Sequence, residues 1–204
     1  IANMIAGDGG GCDFNYPDGL NGEPLTEPIG SGLSYTVPAG KRLYILLLEN
    51  CFPIINGKDL ERSINNGTHP VILNSGDVLT ANTSQSSFST HYFNGYLVDA
   101  APAVTAITEP ISTSVSYTVP AGKRLYFLMN HNQTPVINGK DLRRSINNGT
   151  HPVILNSGDV LTGSFSGAEY FNGYLADENY FAGCGGGGSS SSSSSSSSGT
   201  SINY

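Results

Sequence analysis

The chain has 204 residues and a formal net charge of −7, and only 12% of its residues are charged, about half of the ~25% usual in soluble proteins. Its 26 glycines are roughly twice the usual share. This composition excludes a coiled coil and a highly charged disordered chain. The longest apolar run, residues 43–48, is far shorter than the ~18 residues that cross a bilayer, so we expect no membrane span.

The charge is concentrated at the N-terminal end. Residues 1–32 contain five acidic residues and no basic one, whereas the rest of the chain is close to neutral. A nucleic acid partner would require a basic face, so we expect none. The chain opens at Ile1 without a basic-then-apolar leader, which favours the processed form of an exported protein over a trimmed chain.

The first 32 residues are predicted to form an extended arm, because they are rich in glycine and turn residues. Three isolated apolar residues, Phe14, Tyr16 and Leu20, are the expected anchors of this arm in a neighbouring subunit. Asp13, Asn15 and Asp18 supply oxygen ligands, but the ligand order and closing Glu of an EF-hand are absent. An ordinary turn is therefore favoured over a calcium site.

A tandem duplication is the strongest signal in the chain. Residues 34–80 and 116–162 align without a gap at an offset of 82, and 39 of the 47 positions are identical. The two copies then differ by four residues in length before both resume with Phe-Asn-Gly-Tyr-Leu, at 93–97 and 171–175. A length difference between matched copies is typical of a surface loop.

Each copy has the pattern of an all-β module. Short runs rich in β-branched and aromatic residues are interrupted by Gly, Pro and Asn, and no apolar period fits a helix of three turns. Asn-Gly pairs are typical of tight hairpin turns. The pairs predicted as turns begin at Asn56, Asn66, Asn94, Asn138, Asn148 and Asn172. We expect six or seven strands in each copy, arranged as a small β-sandwich or jelly roll.

The domain organisation follows from the repeat. We expect an acidic arm at 1–32, one sandwich at 33–99, a connector at 100–114, a second sandwich at 115–181 and a Gly/Ser-rich tail at 182–204. A module of about 65 residues has a marginal core, so the copies should pack against each other or against neighbours.

One strand end differs between the copies. Leu48 and Phe52 of the first copy correspond to Asn130 and Thr134 of the second. We expect Leu48 or Phe52 to be covered by the arm, the other module or another subunit, and the polar counterparts to face solvent.

Neither a metal site nor a catalytic site is indicated by the motifs. The four histidines have no ligand-like spacing, and we interpret the equivalent pair as loop caps: His69, His91, His131 and His151. We therefore expect no enzyme and no cofactor. A repeated polar loop could bind surface glycans through Lys58, Asp59, Arg62 and Asn65.

The three cysteines allow three pairings. Cys12 and Cys184 could join the two ends of the chain, or Cys12 and Cys51 could fix the arm to the first module. The sequence does not distinguish these pairings. Four Asn-x-Ser/Thr sequons are possible glycosylation sites, at Asn66, Asn82, Asn132 and Asn148.

The string Tyr-Thr-Val-Pro-Ala-Gly-Lys at 35–41 and 117–123, with the Ile-Asn-Gly and Asn-Ser-Gly-Asp-Val-Leu strings that follow, resembles β-sandwich modules of secreted Bacteroidota-type surface proteins and of phage tail fibres. This resemblance implies an extracellular structural or adhesive role and no catalytic residue.

The architecture and the resemblance together predict the subunit of an extracellular filament or surface appendage. Its arm and tail would link it head to tail to copies of itself. The alternative is a carbohydrate-binding adhesin or a receptor-binding module of a phage tail fibre.

Overall fold

A computed structural model describes residues 13–48, 51–61, 69–84, 89–130, 134–142 and 152–184. Throughout these ranges the chain consists of β-strands, turns and a single 3₁₀ helix at Ala182–Cys184. The all-β class predicted from the sequence is therefore confirmed. None of the described segments is a helix long and apolar enough to span a membrane.

The first module is built from eight strands. They are β1 (Glu23–Gly30), β2 (Tyr35–Thr36), β3 (Lys41–Leu48), β4 (Phe52–Ile55), β5 (Lys58–Asp59), β6 (Val71–Leu73), β7 (Val78–Asn82) and β8 (Thr90–Asp99). An inner sheet has the order β1-β8-β3-β6, and an outer sheet has the order β2-β7-β4-β5. All neighbouring strands are antiparallel.

The second module repeats this arrangement. Its strands are β9 (Val104–Ile111), β10 (Ser116–Thr118), β11 (Lys123–Asn130), β12 (Pro135–Ile137), β13 (Lys140–Asp141), β14 (Val153–Leu155), β15 (Val160–Gly163) and β16 (Glu169–Asp177). The inner sheet is β9-β16-β11-β14 and the outer sheet is β10-β15-β12-β13. Even the irregularity is shared, because β3 and β11 each have a β-bulge, at Leu46 and at Leu128.

Each module has its own core between its two sheets. Strand alternation places Leu43 and Ile45 in the first core and the intervening Tyr44 on the opposite face of the inner sheet. The same alternation in β11 places Leu125 and Phe127 in the second core. A third buried cluster lies between the modules, which confirms the expectation that two such small units pack against each other.

The repeat begins earlier than the sequence comparison placed it. Residues 23–30, expected in the arm, form β1 at the edge of the first inner sheet, and residues 104–111, expected in the connector, form the equivalent β9. The sequence signal was short: Thr-Glu-Pro-Ile occurs at 26–29 and again at 108–111. Proline is compatible with these strands because both lie at a sheet edge.

The Asn-Gly pairs have two different roles. Asn56 and Asn138 have φ of 51° and begin tight turns between short strands, as predicted. Asn94 and Asn172 lie inside β8 and β16, so the turns predicted there are wrong. The glycine after Asn94 is required by close packing, since a Cβ at Gly95 would lie 2.3 Å from the backbone oxygen of Tyr44. The pairs at 66 and 148 lie outside the described residues.

Candidate assembly interface

The junction between the modules has an apolar part. It is formed by the faces of the two inner sheets that point away from the core of their own module. Two stacked tyrosine pairs dominate it: Tyr44 with Tyr96, at a centroid distance of 5.1 Å, and Tyr126 with Tyr174, at 4.7 Å. The smaller buried members of this cluster are Ile72, Val98, Val104, Ala106, Leu128 and Ala176. Burial raises the pKa of the Tyr44 and Tyr174 hydroxyls.

Two asparagine side chains join the edge strands of the modules. The Asn172 side chain accepts a hydrogen bond from the Ile72 N–H and donates one to the Ile72 carbonyl oxygen, both at 2.9 Å. Asn74 does the same for the backbone of Ala106, at 2.8 and 2.7 Å. An edge strand has unpaired backbone groups, and a primary amide offers both a donor and an acceptor. We call these contacts the amide clamps.

A charged contact lies beside the clamps. Lys58 Nζ donates to the carbonyl oxygen of Thr108 and lies 3.3 Å from Glu109 Oε1. Both charged side chains keep about a third of their surface exposed, so this pair adds little stability and chiefly selects the partner surface.

The two tyrosine pairs occupy equivalent positions in the two modules. Outside these pairs the junction is heterologous, since the two modules contribute different parts of the same fold. The first module uses β5, β6 and the turn after β6, and the second uses β9, β11 and β16. Met129 even belongs to the first module's core cluster, and Tyr170 packs against that cluster. Each module therefore also has the part that its partner uses, at the opposite end of the chain.

The unused part of the first module is its front face, defined here by Thr26, Glu27, Leu46, Leu47, Tyr92 and Asn94. In the second module the equivalent residues form the junction. Leu128 and Met129 are 0% and 3% exposed, but their equivalents Leu46 and Leu47 are 40% and 48% exposed. Tyr92 is also exposed, whereas its equivalent Tyr170 is half-buried.

The unused part of the second module is its back face, defined here by Lys140, Leu142, Ile154 and Asn156. Ile154 is 43% exposed and its equivalent Ile72 is 1% exposed. Leu142 is exposed, whereas its equivalent Leu60 is buried in the cluster that includes Met129. Of the eight large apolar side chains exposed in the described part of the chain, five thus lie on the front and back faces.

The end of the arm closes over the junction within its own chain. The ring of Tyr16 lies 5.7 Å from that of Tyr44, and the ring of Phe14 lies 5.0 Å from that of Phe181. The Tyr174 hydroxyl donates to the backbone oxygen of Phe14 at 2.6 Å. Phe14 and Tyr16 therefore pack within their own subunit, whereas the sequence analysis expected them to anchor in a neighbouring subunit.

A buried ion pair fixes this arm. The side chains of Asp18 and Arg42 are 1% and 3% exposed, and Arg42 Nη1 lies 2.5 and 2.6 Å from the two carboxylate oxygens. Asp18 also accepts hydrogen bonds from the Tyr44 hydroxyl and, at 2.8 Å, from the Ala101 N–H. Arg42 Nη2 donates to the Val104 carbonyl oxygen at 2.5 Å. This network ties the arm, the first module and the start of β9 together.

The other expected assembly residues are spread over the molecule. Leu20 is 66% exposed, Leu48 is buried in the core of its own module, and Phe52 is half-buried in β4. Asn130, expected to face solvent, is buried instead. The equivalent Leu48 lies in the core of its own module, so this position of β11 is buried by the fold of the module itself. This enclosure could not be inferred from the polarity of Asn130.

The expected glycan-binding residues lie partly in contacts of the fold. Lys58 belongs to the junction, and Asp59 accepts hydrogen bonds from Asn82 Nδ2 at 2.6 Å and from the Glu61 N–H at 2.8 Å. The Asn82 side chain, a predicted glycosylation site, is thus already engaged. Outside the described residues lie Arg62, Asn65, Asn66, Asn132 and Asn148.

The predicted disulfide is not found among the described residues. Cys51 is a buried free thiol, and burial raises its pKa to about 11. The alternative that joins Cys51 to Cys12 is therefore not what the structure contains. Cys12 lies outside the described residues, as does the side chain of Cys184, so a bridge between the chain ends stays a prediction.

The candidate metal ligands have contacts of their own. Asp13 Oδ1 accepts from the Asn15 N–H at 2.8 Å, and His69 Nδ1 lies 2.7 Å from Asn15 Oδ1. His91 is buried, while His131 and His151 lie outside the described ranges. The described residues include no cluster of three or more His, Cys, Asp or Glu that could hold a metal ion.

Comparison with known proteins yields no family. No protein-family model matches the sequence, and no curated protein matches it. Among solved structures, the chain is similar to a conserved protein of unknown function from Pseudomonas aeruginosa PAO1, with 12% identity, 76% of this chain and 75% of that chain covered, and a TM-score of 0.26.

Proposed function

We propose that this protein is the structural subunit of an extracellular filament or surface appendage, and that its copies join head to tail through the front and back faces. One observation carries the proposal. Residues buried in the junction within the chain recur, at equivalent positions, as exposed residues at its two ends. The duplication accounts for the presence of both sets, and we propose that the exposed set makes the same contact between copies.

The geometry of the junction favours an open polymer. If the back face of one copy met the front face of the next as the modules meet within a chain, each join would leave one face of each kind unpaired. A heterologous contact of this kind adds subunits without limit unless the rotation between them closes a ring.

The arm has a different part in this assembly from the one expected. Residues 13–18 close the junction of their own subunit, so the join would be made by the modules themselves. The extracellular location draws on the resemblance of the repeated strings at 35–41 and 117–123 to secreted surface modules. The alternative, a carbohydrate-binding adhesin, has less support because Lys58 and Asp59 already have partners in the chain.

The proposal is tested on the purified full chain by sedimentation velocity and negative-stain microscopy over a range of protein concentrations. We expect linear assemblies that lengthen as the concentration rises. Ile154→Asp should remove them, because it places a charge in the apolar part of the join. The matched control is Phe165→Asp, which changes another exposed apolar residue, in the loop between β15 and β16, and this variant should assemble like the wild type.

Two results would contradict the proposal. A wild-type chain that stays monomeric at every concentration would contradict the proposal that the protein forms a filament. Assemblies found only inside cells, with no labelling of intact cells by an antibody against the protein, would remove the extracellular location.

A further inference from the structure

We infer which atoms make the join between copies: the Asn94 side chain of one copy clamps the Ile154 backbone of the copy before it, and Lys140 of that copy pairs with Glu27. The inference rests on the proposed function and identifies the partner of both faces as a second copy of this chain. It also gives the polymer a direction, since the two ends of every copy are different.

Asn94 is held in the position that the clamp requires. Its Nδ2 donates to the Leu25 carbonyl oxygen at 3.2 Å and to Thr26 Oγ1 at 3.1 Å. Asn172 Nδ2 makes the equivalent contacts in the second module, at 3.3 and 3.1 Å, and in addition clamps Ile72. The Asn94 side chain thus has the orientation of a working clamp, and it is exposed.

The backbone of Ile154 is available at a strand edge. Ile154 in β14 pairs with Tyr126 in the register in which Ile72 in β6 pairs with Tyr44. The N–H and carbonyl of Ile72 face away from β3, where Asn172 binds them. The same register turns the backbone groups of Ile154 to the open edge of its sheet. The Ile154 side chain is exposed beside them.

The charges of the two faces are complementary. Lys140 of the back face is exposed, and so is Glu27 of the front face. Their equivalents, Lys58 and Glu109, lie 3.3 Å apart in the junction. A contact that repeats the junction brings Lys140 and Glu27 together, whereas a contact between two back faces would bring like charges together.

The join would lack one hydrogen bond that the clamps make in the junction. The residue equivalent to Ala106 is Pro24, which has no N–H. Asn74 makes two hydrogen bonds to Ala106, but Asn156 could make only the one to the Pro24 carbonyl oxygen. Without a neighbour, Asn156 Oδ1 accepts a hydrogen bond from Arg124 Nε at 3.2 Å. At this position the contact between copies therefore has one hydrogen bond fewer than the junction.

Charge reversal on each face tests the pairing in the full-length protein. Lys140→Glu and Glu27→Lys should each raise the concentration needed for assembly several-fold, because each places like charges at every join. A mixture of the two variants should assemble as the wild type does, since each back face then meets a complementary front face of the other variant. Neither variant should change the melting temperature of the monomer.

Restoring the missing donor tests the clamp. Pro24→Ala should lower the concentration needed for assembly by roughly two- to tenfold, the effect of one added hydrogen bond. Pro28→Ala is the matched control on the same edge strand, and it should leave that concentration unchanged.

The failure of this inference can be distinguished from the failure of the proposed function. If the wild type forms filaments and either charge variant alone assembles equally well, the pairing is wrong but the filament is not contradicted. The same holds if a mixture of the two variants does not recover assembly. Only a wild-type chain that does not assemble contradicts the filament itself.

Discussion

Asn172 in the second module holds both backbone groups of Ile72 in the first, although the two residues are 100 positions apart in the sequence. A single side chain thereby closes the edge of a sheet in the other module. The equivalent Asn94 has the same neighbours on its own module but is exposed. This difference between two identical residues distinguishes a used contact from an unused one.

Removal of the buried clamp should destabilise the monomer. Asn172→Ala leaves the N–H and carbonyl of Ile72 buried without partners, at a cost of about 2–3 kcal/mol. The matched variant Asn94→Ala should change the free energy of unfolding by less than about 0.5 kcal/mol, because its side chain is exposed. Urea unfolding of both variants at a concentration below assembly checks this. Equal effects would show that the side chain of Asn172 does not join the modules.

Loss of the arginine should also destabilise the protein by different amounts in the two repeats. Arg42→Ala leaves the Asp18 carboxylate buried without its cation and should cost about 3–5 kcal/mol. Arg124, the equivalent residue, is half-buried and makes hydrogen bonds to the Asn156 side chain and the Tyr126 hydroxyl, so Arg124→Ala should cost only about 1 kcal/mol. Thermal unfolding followed by circular dichroism compares them. A small loss for Arg42→Ala would mean that the arm contributes little to the fold.

Alkaline pH should unfold the protein through its buried tyrosines. Burial raises the pKa of Tyr44, Tyr96 and Tyr174 above the ordinary value of 10.0. A raised pKa means that the folded state keeps protons that the unfolded state loses, so stability is complete below pH 10 and falls as the pH rises above it. Tyrosinate absorbance should therefore rise in two stages, with the later stage coinciding with unfolding. Full ionisation while the fold persists would contradict this.

Cys51 should be unreactive in the folded protein. Its thiol is buried and its pKa is raised to about 11, so little thiolate is present at pH 8. Alkylation followed by peptide mass spectrometry should label Cys51 only after denaturant is added. The Cys51→Ala variant gives the background from Cys12 and Cys184. Rapid labelling of Cys51 in native protein would show that the segment before β4 opens.

The strands and the duplication could be predicted because they depend on local chemistry and on self-similarity. The role of Asn172 could not, because its partner Ile72 is distant in the sequence and the Asn-Gly pair that contains it is also typical of a turn. The strand pattern of β1 was hidden by Pro24 and Pro28, which are compatible with a strand only at a sheet edge. The edge itself is a tertiary property.

The contacts of the arm could be predicted only in part from the sequence. The isolated apolar residues Phe14 and Tyr16 indicate that the arm binds an apolar surface, but not on which subunit that surface lies. The buried ion pair of Asp18 could not be predicted either, since Arg42 belongs to a repeated string whose second copy, at Arg124, is half-buried and contacts Asn156 instead.

The connector between the modules consists of residues 100–103, only four residues between β8 and β9. So short a tether gives the junction an effective local concentration of its partner in the millimolar range or above. The proposed join between separate chains would use equivalent residues without a tether, so it would respond fully to dilution. The junction should therefore persist in a lone subunit at any dilution, whereas the proposed contact between copies should be lost on dilution.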